Sequence, residues 1–388
     1  MRIVIVGAGL AGCSVAWHLA KHARVLLLEQ GSGPGEEASA QNAGMVRRMG
    51  EDPIERALAI RTHAWMEEPG EDWEESPPSR KVGAFLGLAE DTDALTDAAA
   101  HLRARGLRVQ ACDRPAEVAP ILRGAPLGFG WWLPEERVAD AHSLLAGFLR
   151  GARRHGAELR CGVQVQGAQV EGGRVVGVRT AEGLVGADAV VLACGAWGGA
   201  FARALGLERP LLPVRRTLLR SAPHPLATPD HPWTWIDDAG LYARPEGGGW
   251  LISPCDEAID PPSPGPGSAA SPTELHRALA ADKLRRWMPA MGEPSLQQGW
   301  SGLRTFAPDR RPVMGEDPEL SGLWWAAGLG GFGVSGCYAV GEALAAWLRG
   351  EETPWLHRAS VLPGRPLPTR WLIRPDGELF RARLVSGR

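Results

Sequence analysis

The sequence predicts an α/β protein with a Rossmann-like domain and a second, mixed-sheet α+β domain. Three observations near the amino terminus support the first of these domains. An apolar run at residues 3–6 is followed by the pattern Gly7-x-Gly9-x-x-Gly12, and a helix-compatible stretch then leads to a second apolar run that ends in Glu29. Strand, glycines, helix, strand and acid in this order are typical of a βαβ unit that binds a dinucleotide.

Each glycine of this pattern has a distinct physical role. Gly7 permits the tight turn after the strand, Gly9 lets the backbone approach a pyrophosphate, and Gly12 lets the helix pack against the strand. The free amides at the helix N-terminus then favour the phosphates. Glu29 stands 17 positions after Gly12, where a carboxylate accepts a hydrogen bond from a ribose hydroxyl and disfavours the 2′-phosphate of NADP. The pattern leaves FAD and NAD open.

The remaining elements follow from apolar periodicity and from the positions of glycine and proline. In the first half we expect, in order, a loop at 31–44, a helix at 53–66, a solvated acidic loop at 67–80, a strand at 82–88 and helices at 93–105 and 140–156. In the second half we expect strands between 158 and 193 with a hairpin turn at Gly173, short strands from 210 to 254, a surface loop at 261–272, a helix at 273–288 with Thr273 as N-cap, a strand at 323–327 and a helix at 337–348. The Pro- and Arg-rich segment 353–388 fits none of these patterns.

Composition narrows the class of protein. The chain has 388 residues, 44% of them hydrophobic, and a net charge of −3, which gives no reason to expect nucleic acid or an anionic membrane as a partner. Six widely spaced cysteines without a CxxC pair argue against a zinc site or a disulfide framework and favour a reducing, cytoplasmic location. We expect no signal peptide, no transmembrane segment and no metal site.

The order of the later motifs shows a family resemblance. The βαβ unit is followed by DAVVLACGAW (188–197), GLRTFAPDRRPVMG (302–315) and LWWAAGLGGFGVSGCYAVGEALAAWL (323–348). From residue 1 to about 353 the chain resembles the FAD-dependent D-amino-acid oxidase superfamily, which includes glycine oxidase, sarcosine oxidase and D-amino-acid dehydrogenases. Within it, the run at 120–157 and the carboxyl-terminal motifs look most like D-arginine dehydrogenase.

The resemblance implies FAD as the cofactor. The FAD is expected to be noncovalent, because no cysteine stands near Arg304 in the sequence, where sarcosine oxidases attach it. The implied FAD-binding domain comprises 1–45, 135–205 and 295–360, the substrate domain 46–134 and 206–294, and a tail 361–388. The residues assigned to FAD are Gly7, Gly9, Leu10, Ala11, Gly12, Glu29, Gln30, Ser39, Gln41, Asn42, Ala43, Gly44, Val165, Cys194, Gly195, Trp197, Arg304, Gly330, Gly331, Phe332, Gly333 and Val334.

The resemblance also implies a catalytic site for a small amino-acid substrate. Arg304 would form a bidentate pair with the substrate carboxylate, because a planar guanidinium matches a carboxylate in shape and charge. Tyr242 would help to bind the same carboxylate. Arg216 would lie near the substrate in preference to Arg215, since alternation along a strand lets only one of the two face inward.

Three departures from the D-arginine dehydrogenase pattern bear on the substrate. Gly44 and Met49 stand where that enzyme has a histidine and a tyrosine, and a glutamate that would pair with a cationic side chain is missing near Gly83. A buried guanidinium without a carboxylate partner is strongly destabilised, so D-arginine is not expected to be the preferred substrate. The 16 tryptophans of the chain favour an apolar or aromatic substrate side chain instead.

The implied reaction is oxidation of the Cα–N bond of a small amino or imino acid, with a D-amino acid that has an apolar side chain as the expected substrate, by hydride transfer to flavin N5. The strand region 248–254 has no lysine of the kind that activates oxygen in sarcosine oxidases, which favours a dehydrogenase. A glycine- or sarcosine-type oxidase that makes hydrogen peroxide stays open, as does a non-catalytic flavoprotein subunit. The electron acceptor (a quinone, another acceptor or oxygen) and the choice between monomer and homodimer are not determined by these residues.

Overall fold

The computed structural model describes residues 1–73, 76–89, 91–267 and 271–367. Its strands are β1 Arg2–Val6, β2 Arg24–Leu28, β3 Met45–Val46, β4 Arg80–Lys81, β5 Ala84–Leu88, β6 Gln110–Cys112, β7 Phe129–Leu133, β8 Arg137–Val138, β9 Glu158–Arg160, β10 Val165–Glu171, β11 Arg174–Thr180, β12 Gly183–Gly186, β13 Ala189–Leu192, β14 Leu212–Ser221, β15 Trp233–Ile236, β16 Leu241–Glu246, β17 Gly249–Ser253, β18 Ala258–Ile259, β19 Leu296–Phe306, β20 Val313–Glu316 and β21 Leu323–Ala327. Its α-helices are α1 Leu10–Leu19, α2 Pro53–Glu67, α3 Asp93–Arg103, α4 Pro115–Val118, α5 Ala141–Arg154, α6 Gly198–Ala204, α7 Glu274–Trp287 and α8 Gly333–Leu348, and short 3-10 helices span Pro120–Leu122, Gly195–Trp197, Pro289–Met291 and Arg358–Ser360.

The first sheet is the predicted Rossmann-like sheet. Its order is β20-β21-β13-β1-β2-β9, and β1 lies parallel to both β2 and β13. The strands β1 and β2 are buried along their apolar runs, because helices pack on one face of the sheet and β10 and β11 pack on the other. The helix α1 connects β1 to β2 and packs in one apolar core with α5 and α8. The predicted βαβ unit is therefore confirmed.

The second sheet has nine strands and two different faces. Its order is β18-β14-β17-β16-β15-β5-β7-β6, with β19 paired to β14. Alternation along the strands directs Phe85 and Ile252 to one face, where they pack against Leu284 of α7. Leu86 points to the opposite face and packs against Leu95 of α3. We call this opposite face the inner face, because the residues predicted to bind the substrate lie on it.

Two elements lie across the predicted domain boundaries, which themselves stay a prediction. The strand β19 belongs to the second sheet, although the boundary at 295 assigns it to the FAD-binding domain. The helix α2, assigned to the substrate domain, packs in the core of the first sheet, where Trp65 stacks on Tyr338 of α8 at 4.6 Å between ring centroids. Sequence order could not show this, because both contacts join residues far apart in the chain.

Several element predictions are confirmed and two need correction. Thr273 is the N-cap residue of α7, and Gly172 and Gly173 form the hairpin turn with φ of 56° and 76°. The last helix begins at Gly333, four residues before the predicted start, because its glycines adopt helical backbone angles there. Trp73 of the predicted solvated loop is only 8% exposed and packs on Phe148, while residues 74 and 75 lie outside the described part of the chain.

In the described ranges, no helix is long and apolar enough to cross a membrane. The loop at 261–272 is described except at residues 268–270. It is held to the first half of the chain by hydrogen bonds from Gln164 Nε2 to Pro264 O at 2.8 Å and from Gly267 N to Glu37 Oε1 at 2.7 Å.

A buried histidine predicts how stability depends on pH. His63 is 1% exposed and hydrogen-bonds the carbonyl oxygen of Glu135 through Nε2 at 2.9 Å. Burial, followed by the charge of Arg48, lowers the pKa of His63 to about 3. An unfolded histidine takes up its proton near pH 6.5, so between these values the unfolded chain binds more protons and stability falls as the pH falls, by up to about 1.4 kcal/mol per pH unit.

We therefore expect His63→Gln to flatten this dependence. In urea unfolding at pH 7 and pH 5, the unmodified protein should lose more free energy of unfolding than the variant. The exposed His22 gives a matched control, and His22→Gln should follow the unmodified protein. Parallel curves for the protein and its His63 variant would contradict the prediction.

Candidate active site

The turn after β1 has room for glycine only. Gly7 has φ of +101° and donates its N–H to the carbonyl oxygen of Leu28 at 2.8 Å. A Cβ atom at Gly7 would lie 2.6 Å from the carbonyl oxygen of Ala193, and one at Gly12 would lie 2.0 Å from the carbonyl oxygen of Gly7. The turn therefore packs tightly against the helix that follows it, as the sequence pattern predicts.

The N-terminus of α1 has no side-chain cap. Its N-cap residue is Gly9, and the amide of Leu10 donates to Ser39 Oγ at 2.9 Å. The amides of Ala11 and Gly12 belong to the first turn, where the helix itself offers no acceptor. Such a terminus binds an anion through its amides and its dipole, so it fits the diphosphate of a dinucleotide.

Glu29 is positioned by two backbone amides. Its Oε2 accepts from Ala8 N and its Oε1 from Gly31 N, both at 2.8 Å. An ionised carboxylate has about four acceptor sites, so Glu29 keeps capacity for a ribose hydroxyl. Its place at the end of β2, beside the glycine turn, agrees with the role that the sequence predicts.

The N-terminus of α8 is also uncapped by a side chain. Its N-cap residue is Phe332, and no atom lies within 4 Å of a Cβ built on Gly333. By contrast, α2, α3 and α5 begin with the side-chain caps Asp52, Thr92 and Asp140. Both long helices that the sequence assigns to FAD therefore lack a cap from their own N-cap residue, and at α1 only Leu10 has a side-chain partner, Ser39, which fits a bound FAD.

The glycine turn before α8 packs directly on β19. Gly330 has φ of 52° and donates its N–H to the carbonyl oxygen of Thr305 at 2.8 Å. A Cβ atom at Gly331 would lie 2.6 Å from Arg304 Nη1, and one at Gly330 would lie 2.4 Å from the Phe306 ring. Because Gly330 and Gly331 have no side chains, Arg304 can lie against the N-terminus of α8.

The segment 39–44 lies between the two sheets. Asn42 accepts from Gly44 N at 2.8 Å and donates to the carbonyl oxygen of Ser39 at 2.7 Å. The carbonyl oxygen of Ala43 accepts from Arg244 of β16. Gln41 Oε1 is buried and has no partner among the described residues.

The Cys194–Trp197 turn follows β13, beside Gly7. Gly195 has φ of 50° and open space where a side chain would be. Burial raises the pKa of the Cys194 thiol to about 12, and Trp197 Nε1 donates to the carbonyl oxygen of Ser263 at 2.9 Å.

The other residues assigned to FAD lie in separate elements. Val165 lies on β10, Gln30 directly follows Glu29, and Val334 is buried in α8. The contacts of these residues with FAD stay predictions.

The inner face brings the three predicted substrate residues together. The register pairs Arg216 of β14 with Gly302 of β19, two positions before Arg304, so both arginines point to the same face. Tyr242 of β16 is packed on this face with Leu218 of β14. Arg215 points to the other side, where Nη1 lies 3.4 Å from Asp260 Oδ2. The preference for Arg216 over Arg215 agrees with this arrangement.

Arg304 is the unpaired cation of the inner face. Within the described part of the chain its guanidinium has no hydrogen bond or ion pair. Burial lowers the pKa of Arg304, and the positive charge of Arg216 lowers it further. Arg304 is half-buried, and a guanidinium with free donors in such a place favours an anionic ligand.

Arg216 and Tyr242 also keep donors free. Arg216 is 5% exposed, and its Nε and Nη1 are buried without partners among the described residues. Tyr242 is fully buried, and its hydroxyl lacks a partner in the same residues. Buried donors are nearly always satisfied in native proteins, so these atoms indicate a ligand with several acceptor oxygens.

Glu257 belongs to this site although the sequence did not indicate it. Its Oε1 accepts from Arg216 Nη2 at 2.7 Å and from Arg310 Nη2 at 2.8 Å, and its Oε2 from Arg310 Nη1 at 3.2 Å. Burial alone would raise the pKa of Glu257, but the charges of Arg216 and Arg310 hold it below its usual value. The two arginines stand 41 and 53 positions from Glu257, and no sequence pattern links them.

Cys255 lies in the wall of the site. It packs with Tyr242 and Leu218 and has φ of 52°, which is uncommon for a residue with a side chain. Noncovalent FAD is expected because no cysteine stands near Arg304 in the sequence. The fold brings Cys255 into the electrostatic surroundings of Arg304 and Arg216 as well.

Only part of the tryptophan hypothesis is supported by position. Trp235 lies beside Tyr242 at 5.1 Å between ring centroids, and Trp300 packs in the same cluster. Arg47 lies over the Trp235 ring at 4.7 Å. Six further tryptophans belong to other apolar clusters or to sheet pairing, namely Trp131, Trp132, Trp233, Trp250, Trp324 and Trp325.

The three departures from D-arginine dehydrogenase have structural explanations. A side chain at Gly44 would meet the carbonyl oxygen of Ala139 at 2.3 Å, and one at Gly83 would meet the Trp132 ring at 2.3 Å. Met49 is 2% exposed and packs in the core on the inner face. The space that a glutamate at 83 would need is filled by tryptophan.

Two surface clefts, of about 460 and 280 Å³, lie away from these residues, and neither is lined by a residue of the inner face. Among the residues described, no group of three or more His, Cys, Asp or Glu side chains could hold a metal ion.

The βαβ unit with its glycine turn is typical of a dinucleotide-dependent oxidoreductase, and the second sheet adds a cluster of cationic side chains on its inner face. The sequence profile of the family described as FAD dependent oxidoreductase, abbreviated DAO, matches residues 2–347. The chain therefore belongs to this family, the D-amino-acid oxidase superfamily that the sequence resembles, and it is an FAD-dependent enzyme.

Curated relatives and a solved structure agree with this assignment. A glycine oxidase of Pseudomonas aeruginosa is 30% identical over 362 residues, which cover 84% of this chain and 89% of that protein. A D-amino acid dehydrogenase of Paramagnetospirillum magneticum is 24% identical over 89% of this chain and 94% of its own length. The crystal structure of glycine oxidase from Geobacillus kaustophilus matches with a TM-score of 0.79 and 25% identity, covering 95% of this chain and all of that one.

Proposed function

We propose that this protein oxidises the Cα–N bond of a small amino or imino acid, with a D-amino acid that has an apolar side chain as the preferred substrate. The observation that supports this most is the unpaired guanidinium of Arg304, which lies at the open N-terminus of α8 beside the free donors of Arg216 and Tyr242. The names of two relatives, glycine oxidase and D-amino acid dehydrogenase, support an amino-acid substrate.

The chain's own residues would fix the substrate by its carboxylate. Arg304 would donate two parallel N–H bonds to the two carboxylate oxygens, and the Tyr242 hydroxyl would donate a third. Because Tyr242 is fully buried, water would be excluded from that end of the substrate. Two fixed oxygens and one donor orient Cα, and such positioning can supply roughly 7–11 kcal/mol of the barrier.

The same charges act on the substrate's amine. Besides burial, the positive charge of Arg216 lowers the pKa of Arg304, and the nearby carboxylate of Glu257 offsets this in part. A positive surrounding disfavours an ammonium group and lowers its pKa, so the amine nitrogen would bind without its extra proton. No side chain need then serve as a base.

The bound FAD supplies the two-electron acceptor for this oxidation. The protein would contribute the open N-termini of α1 and α8 for the cofactor's anionic parts. Trp235 and Trp300 provide apolar surface near Tyr242 for the substrate side chain. Because β17 and its flanks at 248–254 contain no lysine, we infer a dehydrogenase whose electrons go to a quinone or another acceptor.

Flavin reduction without oxygen tests this proposal. We expect D-alanine or D-phenylalanine, added anaerobically to the purified yellow protein, to bleach the flavin absorption near 450 nm, while the L-enantiomers leave it unchanged. Glycine and sarcosine belong in the same panel because of the oxidase alternative. If no amine in the panel bleaches the flavin, the proposed reaction is wrong.

Reoxidation in air separates the two enzyme classes. A dehydrogenase should reoxidise slowly in air and quickly with a quinone, whereas an oxidase should release one peroxide per substrate. All six cysteines are free, which supports our inference that the enzyme works in the reducing cytoplasm. Its state, monomer or homodimer, can be measured by light scattering.

A further inference from the structure

A series of ion pairs connects the carboxyl-terminal segment to the substrate site. Arg365 is bound through Nε and Nη2 to both oxygens of Asp309, each at 2.8 Å. The next residue, Arg310, forms the two bonds to Glu257 at 2.8 and 3.2 Å, and Glu257 Oε1 accepts from Arg216 Nη2 at 2.7 Å. Five charged side chains from four segments thus form a series of three ion pairs, in which the first pair is joined to the second because Asp309 and Arg310 are neighbours in the chain.

The turn that presents Arg310 is held from several sides. Arg310 has φ of 61°, a left-handed conformation that is unfavourable for a residue with a side chain. Its amide donates to the carbonyl oxygen of Ala307 at 2.8 Å, and its guanidinium lies 4.1 Å from the centroid of the Phe306 ring. Arg365 adds a third bond, from Nη2 to the carbonyl oxygen of Arg311 at 3.1 Å. The turn is fixed by these contacts and not by its local preference.

Glu257 is fixed on its other side as well. The preceding residue, Asp256, accepts from the amide and the hydroxyl of Thr217, both at 2.8 Å. Thr217 directly follows Arg216 on β14. The backbone at 256–257 is therefore in register with β14, so the carboxylate of Glu257 reaches Arg216 at one end of the guanidinium.

Both oxygens of Glu257 are used by arginines. Its negative charge is offset by Arg216 and Arg310, so its carboxylate has little remaining capacity to bind a cationic substrate. At Arg216, the bond to Glu257 occupies Nη2 and leaves Nε and Nη1 buried and free. This arrangement suits a residue that holds an arginine in place for another ligand.

We propose that Glu257 is a positioning residue that orients Arg216 toward the substrate carboxylate, and that Arg310 and Arg365 keep Glu257 in place. The segment 353–367 thereby acts on substrate affinity from outside the site. The inference rests on the proposed function, because it takes the ligand of Arg216 and Arg304 to be a carboxylate.

The charge and the geometry of Glu257 predict opposite effects on an anion. If Glu257 acts only through its negative charge, its removal makes the pocket more positive, and an anionic ligand should bind more tightly. If Glu257 positions Arg216, its removal should weaken binding of that ligand. The sign of the change therefore decides between the two roles.

The test measures benzoate binding to the holoprotein by perturbation of the flavin spectrum, which needs no turnover. We expect Glu257→Leu to raise the Kd for benzoate by about tenfold or more, as for loss of one charge-assisted hydrogen bond. Glu257→Gln keeps the Oε1 acceptor and loses the charge, so its Kd should stay at or below that of the unmodified protein. Unchanged or tighter binding by Glu257→Leu overturns the proposal.

A second substitution keeps the proposal testable if Glu257→Leu does not fold. Glu257→Asp keeps the charge but withdraws it by one methylene, so the carboxylate no longer reaches both arginines. Positioning predicts weaker benzoate binding by this variant, and a Kd equal to that of the unmodified protein overturns the proposal.

The role of the carboxyl-terminal segment has its own comparison. Arg365→Gln should raise the Kd for benzoate, while FAD content and the unfolding midpoint show whether the fold is kept. Arg349→Gln is the matched control, because Arg349 forms an equally bidentate pair with Glu351 at 2.7 and 2.6 Å at the end of α8. Equal Kd values for the two variants would remove Arg365 from the proposal.

Failure of this inference can be told apart from failure of the proposed function. If benzoate binds and Arg304→Ala abolishes binding, the carboxylate site is present whether or not any amine reduces the flavin. The Glu257 variants then decide the inference alone. If benzoate does not perturb the unmodified holoprotein, the carboxylate site and the inference are both rejected.

Discussion

Replacing Arg304 by alanine is expected to lower kcat/KM for the amine substrate by roughly 10²–10³-fold, because two charge-assisted hydrogen bonds to the carboxylate are lost together. Within the described residues this guanidinium has no partner in the protein, so the substitution leaves no buried carboxylate unpaired. The loss should therefore appear in substrate affinity and not in stability. Steady-state kinetics, together with the rate of anaerobic flavin reduction at saturating substrate, measure it.

Arg215→Ala is the matched control for this experiment. Arg215 lies on the neighbouring strand β14, but it faces away from the site and pairs with Asp260 at 3.4 Å, with 22% of its side chain exposed. A partly exposed ion pair contributes about 1 kcal/mol or less, so kcat/KM should change little. Equal losses for Arg304→Ala and Arg215→Ala would show that Arg304 does not bind the carboxylate.

Replacing Gly12 by alanine is expected to abolish retention of FAD. The new Cβ atom would lie 2.0 Å from the carbonyl oxygen of Gly7, and both atoms belong to rigid backbone. Either α1 moves away from β1 or the turn opens, and both changes displace the amides that face the diphosphate. The ratio of absorbance at 450 and 280 nm after purification should fall to that of an apoprotein, and the unfolding midpoint should lose its dependence on added FAD.

Gly128→Ala tests whether the effect is specific to this turn. No atom lies within 4 Å of a Cβ built on Gly128, so alanine fits there without displacement. That variant should keep its FAD in full. A yellow Gly12→Ala protein with FAD content equal to that of Gly128→Ala would show that the close contact is not needed for the cofactor.

The local parts of the structure could be predicted from the sequence. The βαβ unit at residues 2–28 has its strands, helix and glycine turn where the pattern places them, because the spacing of glycines and apolar runs is a property of a short, continuous segment. The same holds for the hairpin at Gly172 and Gly173. The start of α8 was predicted four residues late, since glycine is a weak helix former and its packing against Phe332 and Leu58 is decided by distant residues.

The site could be predicted only in part. Arg304, Tyr242 and Arg216 were chosen by resemblance, and the register of β14 with β19 brings the two arginines to one face. The partners of these residues were not predicted. Glu257, Arg310 and Cys255 come from loops after strands, and a loop residue acquires its neighbours only when the strands have been placed.

The sequence by itself determines the family and the cofactor through the order of its motifs, and it determines the glycine turn through residues close together along the chain. The tertiary structure alone decides which arginine is free and which is paired. Among the described residues it leaves Arg304 without a partner, it pairs Arg216 with Glu257, and it connects that pair to Arg365 of the carboxyl-terminal segment. The physical reason is that the environment of a charge is set by its partners, and these partners stand 41 or more positions apart in the chain and meet only in the folded structure.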